Sequence, residues 1–297
     1  QAARTTCVKP SGNASVLLQT ASGIHGEHSP RYLRHIQLNK ETEVGQLIAK
    51  TNPYMVEESV WSANKTDWCV AFPIISPETS LYREDLYGTD LLEKVKLVQK
   101  NWVEAGTNVE LCANPKTRHN VSNTVTVLPH MWAEVEDYVF NNRDAFAGIS
   151  FLAGMGDKDF AQAPMTEVLS EGEIVAKYGK AALFASGLIV DTRSSGFRDL
   201  WEATQIAQTP SEYLGEVSDI RSEWVRRFKK FADNYFMGDM KETEYCLKDV
   251  FLLHKWEKVQ QNIQSVDFVS ELDEKRFTEI DTMGAIACQG GACEITF

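Results

Sequence analysis

An α/β fold is predicted from three observations. Between residues 4 and 164, apolar β-favouring runs alternate with segments of helical spacing. Several of those runs carry apolar residues on both faces, as strands of a buried parallel sheet or barrel do. After Pro164 the texture changes to long charged helical segments containing Trp201, Trp224 and Trp256. The chain therefore divides into an α/β part (1–165), a mostly helical extension (166–264) and a flexible C-terminal tail (265–297), the last marked by Gly284, Gly290 and Gly291.

The elements follow in order. Arg4 to Lys9 reads as a strand, Pro10 to Asn13 as a small-residue turn, and Ala14 to Leu18 as the opening of a helix. A weakly alternating strand is expected over Arg31–Leu38, then a helix over Glu41–Thr51. Trp68 to Phe72 suits a buried strand ending at Pro73. Leu91, Leu92, Val95, Val98, Trp102 and Val103 fall at helical spacing, so Leu91–Glu104 should be a helix. The β-branched run Val121–Leu128 reads as a strand, Trp132–Asn141 as a helix, and Ala147–Ala153 as a buried strand. Residues 167–188 and 210–264 are read as largely helical.

Bulk properties narrow the function. The 297 residues carry 42 acidic and 30 basic side chains, a formal net charge of -12. Nucleic-acid binders need a basic surface to neutralise phosphates, so that role is disfavoured, although backbone amides could still hold a small phosphate-bearing ligand. No run reaches the roughly 18 apolar residues of a membrane-spanning helix, and no secretory signal pattern is present. A cytoplasmic protein is expected. Six cysteines are too sparse for a disulfide framework. Cys7, Cys69, Cys112 and Cys246 are scattered, whereas Cys288 and Cys293 lie close together near the end. The chain begins with Gln1 and runs directly into a motif-dense region, which reads as a segment of something longer.

Five groups of residues could carry chemistry. The loop Lys9-Pro10-Ser11-Gly12-Asn13-Ala14-Ser15 has small residues and side-chain donors ahead of a helix, which suits either an anion cradle or a simple helix-capping turn. Cys288 and Cys293 flank four small or polar residues, a spacing that can close into an exchangeable disulfide or leave two incidental thiols. His25, His28 and His35 match no recognised ligand spacing and read as solvated or hydrogen-bonded histidines, so no metal site is expected. His119 to Val127 alternates polar and apolar side chains and could line a barrel interior, as could any half-buried strand. Asp157, Lys158 and Asp159 come after a predicted strand, where α/β proteins place functional loops or solvated turns.

Taken together, these segments resemble the cobalamin-dependent (class II) ribonucleotide reductases. Thr6 to Gly12, followed by Ala21-Ser22-Gly23-Ile24-His25, resembles their substrate-phosphate loop region. His119–Val127 is similar to a barrel strand of that family, and Ile149–Leu152 with Gln162-Ala163-Pro164 to its final strand and the stretch after that strand. Cys288–Cys293 is similar to the C-terminal redox tail of class I and class II enzymes.

The resemblance implies the C-terminal part of a ten-stranded α/β barrel, then a helical segment and a flexible redox tail. Pro10, Ser11, Gly12, Asn13, Ala14 and Ser15 would hold the phosphates of a ribonucleoside di- or triphosphate. Cys288 and Cys293 would re-reduce the active-site disulfide and be re-reduced by a thioredoxin-like partner. Adenosylcobalamin would be the cofactor of the assembled enzyme, and a thiyl radical on a barrel cysteine would abstract the ribose 3′-hydrogen.

Two departures matter. Asn13 stands where the family's loop usually has threonine. In family order, the radical cysteine and the substrate-reducing pair precede the phosphate loop, so they lie on an N-terminal part or partner chain and this polypeptide alone should be inactive. A class I large subunit is the alternative within the family. It would carry adjacent tyrosines, and no Tyr-Tyr pair occurs here. A non-catalytic assembly protein derived from the barrel half is the alternative outside it.

Overall fold

Strands and helices are interspersed up to Glu167 and helices dominate beyond it, a mixed α/β architecture. The computed structural model describes residues 2–11, 14, 15, 18, 20–154, 162–190 and 219–272. Gly12, Asn13, Asp157, Lys158, Asp159, Trp201, Cys288 and Cys293 lie outside the described residues, as does the side chain of Trp224. No described helix is long and apolar enough to cross a membrane.

The elements are β1 (Arg31–Asn39), α1 (Glu43–Thr51), β2 (Val56–Glu58), β3 (Asp67–Ile75), α2 (Thr89–Val98), β4 (Val125–Val127), α3 (Trp132–Asn141), β5 (Phe151–Ala153), β6 (Met165–Glu167), α4 (Glu171–Tyr178), α5 (Lys180–Val190), α6 (Asp219–Tyr235), α7 (Met240–Asn262) and the single turn α8 (Phe268–Glu271). One sheet has the order β2-β3-β1-β6, and β4 and β5 form a separate parallel pair. The described residues fall into two compact units, one within 2–34 and 73–256, the other within 35–72 and 257–272.

In the first unit, α2 and α3 pack on β4 and the segment leading into it. Leu91, Leu92, Val95, Val103, Val121, Val125, Val127 and Val135 are buried together. The apolar spacing of the sequence produces this face, with one difference: Gln99–Glu104 winds as a π turn, burying Gln99 and Val103, while Trp102 is exposed. A second core joins α4, α5, α6 and α7 through Ile174, Ala181, Ala185, Phe228, Phe231, Cys246 and Leu247. These four helices share that core, and burial pushes the Cys246 thiol up to about 12, as an inert packing residue.

In the second unit, Met55, Val70 and Val259 form a core flanked by Leu38, Ile48, Val56, Trp68 and Phe72. Thr42 caps α1, its hydroxyl accepting from the Gly45 N–H at 3.1 Å. Residues 265–272, expected from the sequence to begin a mobile tail, carry α8 and a buried Leu272. Just before them the Gln264 backbone is clamped by Asn52, whose amide accepts from Gln264 N–H at 2.7 Å and donates to Gln264 C=O at 3.0 Å.

Four sequence expectations need correction. Arg4–Lys9 is not a continuous strand: Arg4 pairs antiparallel with Thr107 and Val8 parallel with Val121, each as an isolated bridge. β3 does not stop at Pro73 but runs to Ile75. Ser76 N–H bonds Pro30 C=O and Lys40 N–H bonds Thr66 C=O, so Pro73 sits opposite Leu33 at a position whose nitrogen points away from β1, and β2 ends before reaching it. The Ala147–Ala153 run yields only β5, and its three residues are exposed, Phe151 at 42% and Leu152 at 41%. β4 is its sole strand partner among the described residues. Finally β6, paired antiparallel with Tyr32–Arg34, occupies a stretch whose end the sequence predicts as helical.

Candidate functional site

The loop at Lys9 is positioned from below by backbone pairing. Ser122 N–H donates to Val8 C=O at 2.9 Å, so the chain reaches Lys9 running parallel to the segment that becomes β4. Thr6 Oγ1 donates to Trp102 C=O at 2.6 Å, tying the same approach to the end of the π turn.

Beyond Lys9 the loop is held by side chains. Ser11 N–H donates to Ser22 Oγ at 2.8 Å, and Ser22 Oγ–H donates back to Ser11 C=O at 2.9 Å. Ser15, buried at the first helical turn, donates its hydroxyl to the same Ser11 carbonyl at 2.5 Å. Gly23 has φ +64°, and a Cβ there would lie 2.8 Å from the Lys9 carbonyl oxygen. Only glycine meets both the left-handed backbone and the close approach.

His25 completes the arrangement. Its Nδ1–H donates to Ser22 C=O at 2.9 Å, and its Nε2 accepts from Thr124 N–H at 2.9 Å. Each partner has one role, which fixes the neutral Nδ1–H tautomer. The segments Lys9–Ser11 and Ser22–His25 are therefore linked directly to each other and to the entry of β4. Pro10 and Ala14 are exposed beside this junction, with Ser11 half-buried.

Sequence reasoning missed two buried amides that support the site. Gln99 Nε2 donates to His119 C=O at 3.0 Å, and its Oε1 accepts from Val121 N–H at 3.2 Å. Asn123 Nδ2 donates to Val121 C=O at 2.8 Å and Gly148 C=O at 3.0 Å, and its Oδ1 accepts from Ser150 N–H at 3.3 Å. The alternation expected over His119–Val127 is real, with Val121, Asn123, Val125 and Val127 buried. A polar residue on that apolar phase was the available signal for Asn123.

The three histidines part company. His28 meets Tyr32 edge-on, ring centroids 5.5 Å apart. His35, in the second unit, converges with Glu57 and Cys69, one ligand atom from each lying within 4.8 Å of the others. Cys7 is exposed and Cys112 half-buried.

No protein-family model and no curated protein matches the chain. Among solved structures, the crystal structure of a B12-dependent (class II) ribonucleotide reductase is similar to it, at 18% identity and a TM-score of 0.44, over 72% of this chain and 25% of that one. The chain thus spans about a quarter of that protein's chain.

Proposed function

We propose that this chain is the C-terminal part of a ribonucleotide reductase, of the cobalamin-dependent kind, contributing the substrate-phosphate loop and the dithiol that re-reduces the active site. One observation carries the reading. The two sequence segments that resemble the family's phosphate-loop region are joined through Ser11, Ser22 and the Lys9–Gly23 contact. They sit where a parallel-running segment ends beside a parallel strand pair, a position that α/β folds give to phosphate-bearing ligands.

In this reading Pro10, Ser11, Gly12, Asn13, Ala14 and Ser15 bind and orient the phosphates of a ribonucleoside di- or triphosphate, with Lys9 supplying positive charge. Cys288 and Cys293 pass two electrons to the active-site disulfide by thiol–disulfide exchange, becoming a disulfide that a thioredoxin-like partner reduces. The radical cysteine resides on an N-terminal part or partner chain. The exposed apolar strand β5 supports such a partner, because it has no second strand neighbour among the described residues and its Phe151 and Leu152 lie at the surface, which suits further strands. Adenosylcobalamin would serve the assembled enzyme.

Substitutions in the tail and beside the loop test the two contributions in the assembled enzyme. Cys288→Ser or Cys293→Ser should abolish repeated turnover with a thioredoxin-like reductant, yet leave activity with a small dithiol that reaches the active site directly. Equal failure with both reductants, or no effect on either, contradicts the relay. Ser22→Ala removes both bonds to Ser11 and should raise KM for the ribonucleotide roughly tenfold with kcat little changed. An unchanged KM contradicts the loop assignment.

A further inference from the structure

The second unit contains a donor set unrelated to the phosphate loop. His35 lies on β1, Glu57 on β2 and Cys69 on β3, three strands adjacent in the order β2-β3-β1. Register explains how residues so far apart in sequence meet. Glu57 is directly opposite Cys69 in the antiparallel ladder. The Lys40–Thr66 bond sets β1 against β3 so that Gln37 is opposite Cys69, which puts His35 one diagonal step away on the same face. The other face of these strands is spent on the core of Leu38, Val56, Trp68, Val70 and Phe72. Alternation therefore gathers the three polar residues on the opposite side.

Their chemistry fits one class of ligand. A thiolate, an imidazole and a carboxylate form a mixed soft-to-hard set that suits zinc and its neighbours and is a poor match for magnesium or calcium, which take oxygen ligands. In a tetrahedral zinc site, neighbouring donor atoms are about 3.3–3.8 Å apart. Here the three atoms all lie within 4.8 Å, a gap that small side-chain rotations close. Cys69 is fully buried, while His35 and Glu57 are half-buried, leaving an entry from their side.

We infer that His35, Glu57 and Cys69 bind one divalent transition-metal ion of the zinc class, with the fourth position taken by water or an incoming ligand. The thiol gives up its proton on binding, so affinity falls as pH falls.

The test is a Co²⁺ titration of the full chain carrying Cys288→Ser and Cys293→Ser, so that the tail thiols cannot contribute. One equivalent should bind, with a thiolate-to-cobalt charge-transfer band in the near ultraviolet and tetrahedral visible bands. Cys69→Ser should remove the charge-transfer band, and His35→Gln or Glu57→Gln should weaken binding at least about tenfold, with circular dichroism unchanged. Because Cys69 is buried and its replacement can compromise folding, X-ray absorption of the zinc-loaded parent chain gives a second reading: one sulfur at about 2.3 Å with nitrogen and oxygen at about 2.0–2.2 Å. Absence of a charge-transfer band in the folded parent, a band that survives all three substitutions, or a zinc shell without sulfur overturns the assignment.

Discussion

The Lys9–His25 region and the His35–Glu57–Cys69 region solve the same problem in opposite ways. Around Lys9 the backbone pairing is minimal: Val8 and Val121 meet in a single bridge and β4 is three residues long. Side chains supply what the ladder lacks, with Gln99, Asn123, Ser22 and His25 each bonding backbone groups of another segment. Around Cys69 the nine-residue strands β1 and β3 hold each other through their own backbones. There the side chains of one face converge on one another. Where ladders are short, polar side chains become structural. Where ladders are long, they can be gathered for chemistry.

The comparison predicts a graded set of stability losses. Asn123→Ala and Gln99→Met come first, because each leaves buried backbone groups unsatisfied; each should cost about 2–4 kcal/mol in denaturant unfolding. A loss below about 1 kcal/mol would show that these amides do not substitute for a ladder. Gly23→Ala should come next at about 1–2 kcal/mol from the left-handed backbone, with added crowding against Lys9. Glu57→Gln should stay within about 1 kcal/mol while still weakening cobalt binding, since the ladder holds its backbone.

The smallest effect belongs to an exposed pair at the start of β1. Arg31 reaches Glu173 at 2.5 Å, and the carboxylate also accepts from Ser170 N–H and Oγ–H at 2.6 Å each. Burial pushes the Glu173 carboxyl up, but the bonds from Ser170 and the Arg31 guanidinium outweigh it and hold it below the usual carboxylate range. A group depressed in the folded state adds stability above its unfolded pKa, and that stability is lost as pH falls through the folded value. With half of the Glu173 side chain exposed, Glu173→Gln should cost less than about 1 kcal/mol at neutral pH and nothing once the carboxyl is protonated. A pH series of unfolding midpoints reads the difference.

Helices driven by apolar spacing were legible in the sequence. Trp132–Asn141 is predicted and found with the same ends, and the Leu91–Glu104 periodicity is present with a π turn at its end. Strand extents were less so, because pairing depends on distant partners: β3 passes through Pro73, and Val121–Leu128 contracts to β4. The motif residues around Ser11 and Ser22 were visible as motifs, but their mutual bonds depend on how the chain turns between them. The His35–Glu57–Cys69 set was invisible, because histidine spacing along the chain says nothing about the register that brings strands together.

The most direct test of the reductase reading is deoxyribonucleotide formation by this chain, alone and mixed with the upstream reductase polypeptide, with and without adenosylcobalamin. Product is expected only in the mixture and only with the cobalamin. Stable assembly without product under any cofactor condition would contradict that reading, and would favour a non-catalytic assembly protein.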